Sequence, residues 1–415
     1  MRREPGTTTA GSAGESAAGD AAGGSRASPL PRELFLLDPE VAFLNHGSFG
    51  ATPRPVFDAY QAWQRELERQ PVEFLGRRFY GLLHEARAAL AAELHAAPED
   101  LVFVPNVTTA LNAIARSLRL QPGDAVLTTD HEYGAMDRMW RVLGRTSGTV
   151  YRAAAIPLPV TTAEAVVEAV WGEVTPRTRV LFVSHVTSPT ALILPVRELC
   201  ARARAAGIVS IVDGAHALGQ LPLDLGEIGA DFYVANAHKW LCAPKGSAFL
   251  QARPEVQALV EPLIVSWGGT AFNPTGRRFL DEQQWTGTRD PAAWLAVPAA
   301  IRFWAEHDGV RVLAACRALA RRAREELIAQ TGRPPLCPDA PEWFAQMFAI
   351  ELPPCDGPRL QADLYAHHRV EVPVMKWQGR ALLRVSVQAY NSPHDLARLQ
   401  AALDDALRRQ RGDPA

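Results

Sequence analysis

Two residues whose types could do chemistry together are Asp213 and Lys239, 26 positions apart. Each follows an apolar run of strand length: IVSIVD ends on Asp213, and DFYVANAH leads directly to Lys239. Neighbouring strand ends would bring a carboxylate and an amine into one crevice. A lysine in a partly apolar crevice gives up its proton and can attack a carbonyl to form a Schiff base. Only three lysines occur, Lys239, Lys245 and Lys376, against forty arginines, so such chemistry has three candidate positions. Trp240 and Leu241 favour burial of the first. Taken singly, Asp213 could equally cap the turn that follows it, and Lys239 could be a solvated loop residue.

Three further groups bear on the same chemistry. Asn106-Val107-Thr108-Thr109 opens a helical stretch after LVFV, and the hydroxyls and free N–H groups of a helix start can hold a phosphate. A plain N-cap would leave the same pattern. Tyr133, in DHEYGA after another strand, can stack on a planar ligand or be a half-buried turn phenol. Arg384 lies inside the apolar strand LLRVSVQAYN and needs a partner, either a ligand carboxylate or an internal Asp or Glu. Phosphate cradle, stacking ring, carboxylate, amine and carboxylate clamp together are what a pyridoxal 5'-phosphate enzyme requires. The carboxylate keeps the ring nitrogen protonated, and the lysine holds the aldehyde and moves protons at Cα.

The elements that must position these residues follow from hydrophobic spacing. Short apolar runs alternate with amphipathic stretches from LVFV (101–104) to SAFLQA (247–252), with strands at 125–129, 149–156, 178–186, 208–213 and 231–238. This predicts an α/β fold with a mainly parallel central sheet covered by helices, which binds ligands at the carboxyl ends of its strands. Helices are expected over 56–95, with Pro71 separating two of them, and over a long stretch from 291. Residues 341–390 read as strands and one helix of a smaller C-terminal α+β domain. The expected division is a disordered, Gly/Ala/Ser/Thr-rich tail over 1–30, an N-terminal arm over 31–60 that reaches the active site, a large domain over 61–300 and a small domain over 301–411. Ordered structure should begin near Leu34.

Composition narrows the function classes. The 415 residues are 47% hydrophobic and 21% charged, with a net charge of −2. A disordered chain is excluded, and no strong field favours nucleic acid. No apolar run is long enough for a membrane helix. The five cysteines are widely spaced, without a CxxC pair, and point to a reducing, cytoplasmic compartment. Histidines and cysteines do not fall at metal-ligand spacing, so no metal is expected.

The order of NVTTALN, DHEYGA, VSHVTSPTALILPV, DGAHALGQLPLDL, ADFYVANAHKWLCAPKGSAFL, WTGTRD and RVSVQAYN resembles the class V aminotransferase-like enzymes of the fold-type I pyridoxal phosphate group. The resemblance runs from about residue 40 to 410. FLNHGSFGATPRPV and WTGTRDPAAWLAVPAAI are most similar to the isopenicillin N epimerase-like branch, which also holds lyases that cleave C–S bonds. The resemblance implies that Lys239 carries the cofactor, Asp213 pairs with its ring nitrogen and His216 contacts its phenolic oxygen. Thr108, Thr109, Asn236 and His238 would bind phosphate, Tyr133 would stack on the ring, and Arg384 would take the substrate α-carboxylate. Asn45 and His46 would lie at the substrate. Ser188 stands where relatives often have an asparagine that contacts the ring, and Asn236 where many have serine. Thr288 would reach the phosphate of a second subunit, which implies a homodimer with shared sites. Persulfide-forming desulfurases carry a cysteine shortly before the motif's arginine, and HHRVEVPVMKWQGRALLR has none.

The implied substrate is a small molecule, an amino acid of unspecified side chain, that reacts at Cα through an external aldimine. Loss of the Cα proton can end in epimerisation, in expulsion of a β-substituent or in transamination, and the same lysine serves all three. Epimerisation is expected from the branch resemblance, β-elimination at a C–S bond is the alternative, and an aminotransferase or a non-catalytic regulator stands behind both. Epimerisation needs a proton donor on the face opposite Lys239, for which His46, His185 and Tyr133 are candidates. The side-chain pocket is expected to draw on loops that include 264–280.

Overall fold

A computed structural model of the chain describes residues 27–268, 270 and 274–411. The expected disordered tail lies almost wholly outside the described residues, as does part of the 264–280 stretch.

The strands are β1 (Ala42–Phe43), β2 (Leu101–Val104), β3 (Ala125–Thr129), β4 (Val150–Ala154), β5 (Thr178–Ser184), β6 (Val209–Asp213), β7 (Phe232–Asn236), β8 (Ala248–Ala252), β9 (Met347–Glu351), β10 (Val370–Glu371), β11 (Val374–Trp377) and β12 (Arg380–Ser386). Seven form the central sheet in the order β2-β8-β7-β6-β5-β3-β4. The pairs from β7 through β6, β5 and β3 to β4 are parallel, and β8 runs antiparallel to both of its neighbours. The mainly parallel sheet expected from the alternation is present. β9, β11 and β12 form a separate antiparallel sheet in the order β11-β12-β9.

Side chains of a strand alternate between faces, and the two cores of this molecule divide accordingly. Val180, Phe182, Ile211, Phe232 and Val234 join one buried cluster with Val107, Leu111 and Ile114 of the helix Val107–Ser117. Leu181, Val183, Val212, Tyr233 and Ala235 join the other. That helix buries Val107, Ala110, Leu111 and Ile114, a spacing that lines one face. Each of its larger apolar side chains contributes ~2 kcal/mol by burial. The same parity carries Ser184, Asp213 and Asn236, the last residues of β5, β6 and β7, onto the face covered by this helix.

The stretch from 291 is not one helix. It divides into Ala292–Leu295, Val297–Glu306 and Gly309–Thr331, and Asp308 caps the last from a left-handed conformation. Around Pro71 the chain passes through a short turn and a π-helical segment, Phe74–Arg78, between the helices Arg54–Arg69 and Phe79–Glu93. The N-terminal arm is threaded by backbone bonds. β1 pairs in parallel with β10, Leu44 N–H donates to Glu371 O (2.9 Å), and Ser386 N–H donates to Leu44 O (2.9 Å). These bonds deliver residues 45–50 to the ends of the central strands.

Candidate active site

Asp213 is buried at the end of β6, with Ser184 as its register partner on β5. Its Oδ1 accepts the Ala215 N–H at 2.9 Å, so it does cap its turn. Among the described residues no protein donor reaches its other oxygen. Burial pushes its carboxyl up to about 6, against the lowering effects of the Ala215 N–H and Lys239.

Lys239 is half-buried in the turn after β7, whereas Lys245 and Lys376 are exposed. Its Nζ lies 3.4 Å from His216 Nε2. Desolvation, then the positive charge of Arg384, lowers the amine to about 7, and Asp213 offsets part of this. An amine poised near neutrality is a nucleophile and a proton carrier. His216 is buried and held neutral by desolvation, with Lys239, Arg384 and His46 adding to the shift. Trp240 Nε1–H donates to its Nδ1 at 3.3 Å, which leaves the ring proton on Nε2, facing Lys239.

Arg384 is buried in β12 and meets no carboxylate among the described residues. Its Nη1 donates to Ser188 O (2.8 Å) and Ser188 Oγ (3.2 Å), its Nη2 donates to Ser48 Oγ (3.1 Å), and its Nε has no partner. Burial lowers it to about 10, while Tyr133 acts in the opposite direction. The internal-ion-pair alternative therefore gives way. A buried guanidinium held only by neutral oxygens is a site for an anion. Ser188 meets this arginine through both its carbonyl and its hydroxyl oxygen. Tyr133 caps the helix Gly134–Ser147 with its side chain half exposed, close enough to Arg384 to affect its charge.

The helix Val107–Ser117 points its N-terminus at the same region. Asn106 Oδ1 accepts the Thr109 N–H (2.8 Å), and Asn236 Oδ1 accepts the Val107 N–H (3.1 Å). Asn236 thus pins the helix start to β7. Thr108 is exposed, and no acceptor among the described residues takes its N–H, the arrangement an anion needs.

Several expected residues are placed differently. His46 is fully buried behind the lysine's backbone. Its Nε2–H donates to Lys239 O (3.0 Å), and its Nδ1 accepts from Tyr390 O–H (2.9 Å). Desolvation lowers it to about 3, so it is neutral and braces the backbone that carries Lys239. Asn45 is engaged at both ends of its amide: Nδ2 donates to Glu371 Oε1 (2.9 Å), and Oδ1 accepts from Ser48 Oγ–H (2.5 Å). It acts on the site through Ser48, which touches Arg384. His238 donates Nδ1–H to Ser247 O (2.9 Å), and burial holds the ring down at about 4. Neutral, it presents only an acceptor, which disfavours a phosphate role. His185 is bonded to Tyr233 O–H (2.8 Å) and lines a separate cavity of about 450 Å³ with Pro195 and Arg197. Thr288 is exposed in a loop, with no contact that joins it to this chain's own lysine.

Sequence reasoning passed over two residues. Ser48 lies inside GSFG and signals nothing by its type. Glu132 stands beside Tyr133 just after β3, and an acidic residue so close to the strand end was the available signal. It is buried, with Oε1 accepting from Thr129 Oγ–H (2.6 Å) and Oε2 from Ser184 Oγ–H (2.5 Å). Desolvation pushes it up to about 7; the two hydroxyls oppose this and Asp213 adds to it.

Among the described residues no group of His, Cys, Asp and Glu could hold a metal ion, and no helix is long and apolar enough to cross a membrane. The family model for Aminotransferase class-V matches residues 44–399. The chain is 40% identical over 390 residues to the isopenicillin N epimerase of Amycolatopsis lactamdurans, covering 90% of this chain and 97% of that protein. It is 30% identical over 421 residues to a probable chloroplastic L-cysteine desulfhydrase of Arabidopsis thaliana, covering 92% and 86%. Among solved structures, a variant of C-DES with glycine covalently linked to its PLP cofactor matches with a TM-score of 0.75 at 21% identity, over 88% of this chain and 97% of that one. That last likeness is one of fold.

Proposed function

The chain belongs to the class-V aminotransferase family, and on that premise we propose that it is a pyridoxal phosphate-dependent epimerase acting at the Cα of an amino acid, of the isopenicillin N epimerase type. The observation that carries this reading is the Lys239 amine, poised near neutrality between buried Asp213 and a buried arginine that has no counter-ion among the described residues. The 40% identity over nine-tenths of the chain supports the epimerase type.

The donor set fits the cofactor. A free amine, a buried carboxylate oxygen without a donor, a neutral histidine N–H and an open helix N-terminus are the four contacts its aldehyde, ring nitrogen, phenolic oxygen and phosphate need. Pyridoxal phosphate, when bound, withdraws electrons from the substrate's Cα so that a bond to that carbon can break. Lys239 binds the aldehyde and moves the Cα proton. Asp213 pairs with the ring nitrogen, and His216 donates Nε2–H to the phenolic oxygen. Thr108 offers the phosphate contact, whereas Thr109 gives both its N–H and its hydroxyl to Asn106 Oδ1. Arg384 takes the α-carboxylate, and the Ser48 and Ser188 oxygens fix its plane. Of the three candidates for the opposite face, Tyr133 is the one with its side chain open to the site, and it is the residue we assign to stack on the ring and to donate that proton.

A β-elimination lyase is the second reading, favoured by the desulfhydrase relative. It would use the same residues and differ in the fate of the β-substituent. A persulfide route has no support, because Cys355 lines an outer cavity with Pro353, Asp356 and Arg359. Shared sites in a homodimer fit the exposure of Phe49, Val265, Trp267 and Thr288. A cytoplasmic location fits five free cysteines. Incubating L-amino acids with the protein in heavy water tests the main reading. Deuterium at Cα with the D-isomer is expected. Pyruvate and sulfide would transfer the assignment to the lyase, and dependence on an added keto acid to a transaminase.

A further inference from the structure

Glu132 is a buried carboxyl group that none of these roles uses. We propose that Glu132 is a positioning residue for the ring nitrogen of pyridoxal phosphate: acting through Asp213, it makes the protonated ring the form that the floor of the site holds. The proposal rests on the cofactor reading above and deepens it.

The geometry can hold an ionised group, because each carboxyl oxygen of Glu132 faces a hydroxyl. Thr129 Oγ accepts the His131 N–H at 3.3 Å, which directs its own proton to Glu132 Oε1. Ser184 Oγ–H donates to Oε2. Both oxygens therefore act as acceptors, and both partners are neutral. Ser184 is the register neighbour of Asp213 on the same face of the sheet, so two carboxyl groups flank one serine at the strand ends. The titratable groups that face Glu132 are Asp213 from β6 and the Tyr151 phenol from β4. Neither is a cation, and Glu132 forms no ion pair among the described residues. Two buried carboxylates side by side stay ionised only beside a positive charge, and the Lys239 amine near Asp213, itself lowered to about 7, is a partial one. A ring N–H at the free oxygen of Asp213 supplies one, and a neutral ring does not.

The alternative is a structural brace that ties β3 to β5. Titrating apoprotein with pyridoxal phosphate and with its 1-deaza analogue, whose ring nitrogen is replaced by C–H, separates the two. Glu132→Gln should weaken pyridoxal phosphate about tenfold, the effect of one unit of pKa coupling, and leave the analogue almost unchanged. Ser184→Ala removes one donor to the carboxylate and should give the same selective loss to a smaller degree. It carries the comparison if Glu132→Gln does not fold. Equal losses for both ligands, or no loss for either, would overturn the proposal. If wild-type protein bound neither ligand, the cofactor reading would fall first and this inference with it.

Discussion

At the scale of single residues, the site works by leaving charges incompletely matched. Lys239 is displaced to about 7 by desolvation and by Arg384. Its amine is protonated and inert below that pH and free above it. Capture of pyridoxal phosphate by apoprotein, followed by visible absorbance, should accelerate as the pH rises through about 7 and then level off. A rise that continued toward pH 10 would mean an ordinary solvated lysine. Lys239→Ala should abolish both turnover and borohydride trapping of the cofactor. Glu132 has the opposite linkage. Its folded value of about 7 exceeds its ordinary value of 4.5, so the folded chain binds more protons between them. Its contribution to stability is present in full below pH 4.5 and is lost as the pH rises to about 7. Thermal unfolding of apoprotein should show wild type losing on the order of 3 kcal/mol relative to Glu132→Gln across that window.

At the scale of elements, the chain after β7 is clamped between two others. Gly50 adopts φ +70, and a Cβ there would lie 2.0 Å from His238 O. The arm thus passes directly against the backbone that carries Lys239, and His46 locks the contact through Lys239 O. Gly50→Ala meets both a left-handed conformation and a backbone clash. It should cost about 3 kcal/mol or more and lower cofactor affinity, read by denaturant unfolding and by apoprotein titration. His46→Leu removes the donor to Lys239 O and the acceptor of the Tyr390 O–H. A loss of ~2 kcal/mol is expected, with the steps at Cα slowed only through the lysine's placement. If His46 instead touched substrate, KM would change far more than stability.

At the scale of the whole molecule, Leu263, Ile264, Val265 and Trp267 expose apolar side chains in one segment, with Phe49 and Thr288 also exposed. On the proposed homodimer, in which Thr288 would serve the partner's site, a charge placed there, as in Trp267→Glu, should lower the sedimenting mass and weaken cofactor retention, and an unchanged sedimentation profile would count against that assembly. What the amino-acid order determined by itself was local and periodic. Apolar runs and amphipathic stretches fixed which segments are strands and helices. The amino-acid order marked Lys239 and Arg384 as candidates, while the strand register put Ser184, Asp213 and Asn236 on one face. It could not decide what a polar side chain faces once distant segments meet. Arg384 meets no carboxylate among the described residues, His46 turns to the Lys239 carbonyl, and Glu132 joins the site floor because residues from β3, β5, β12 and the N-terminal arm converge there. A hydrogen bond or a shifted proton affinity depends on neighbours hundreds of positions away, and only the packed chain supplies them.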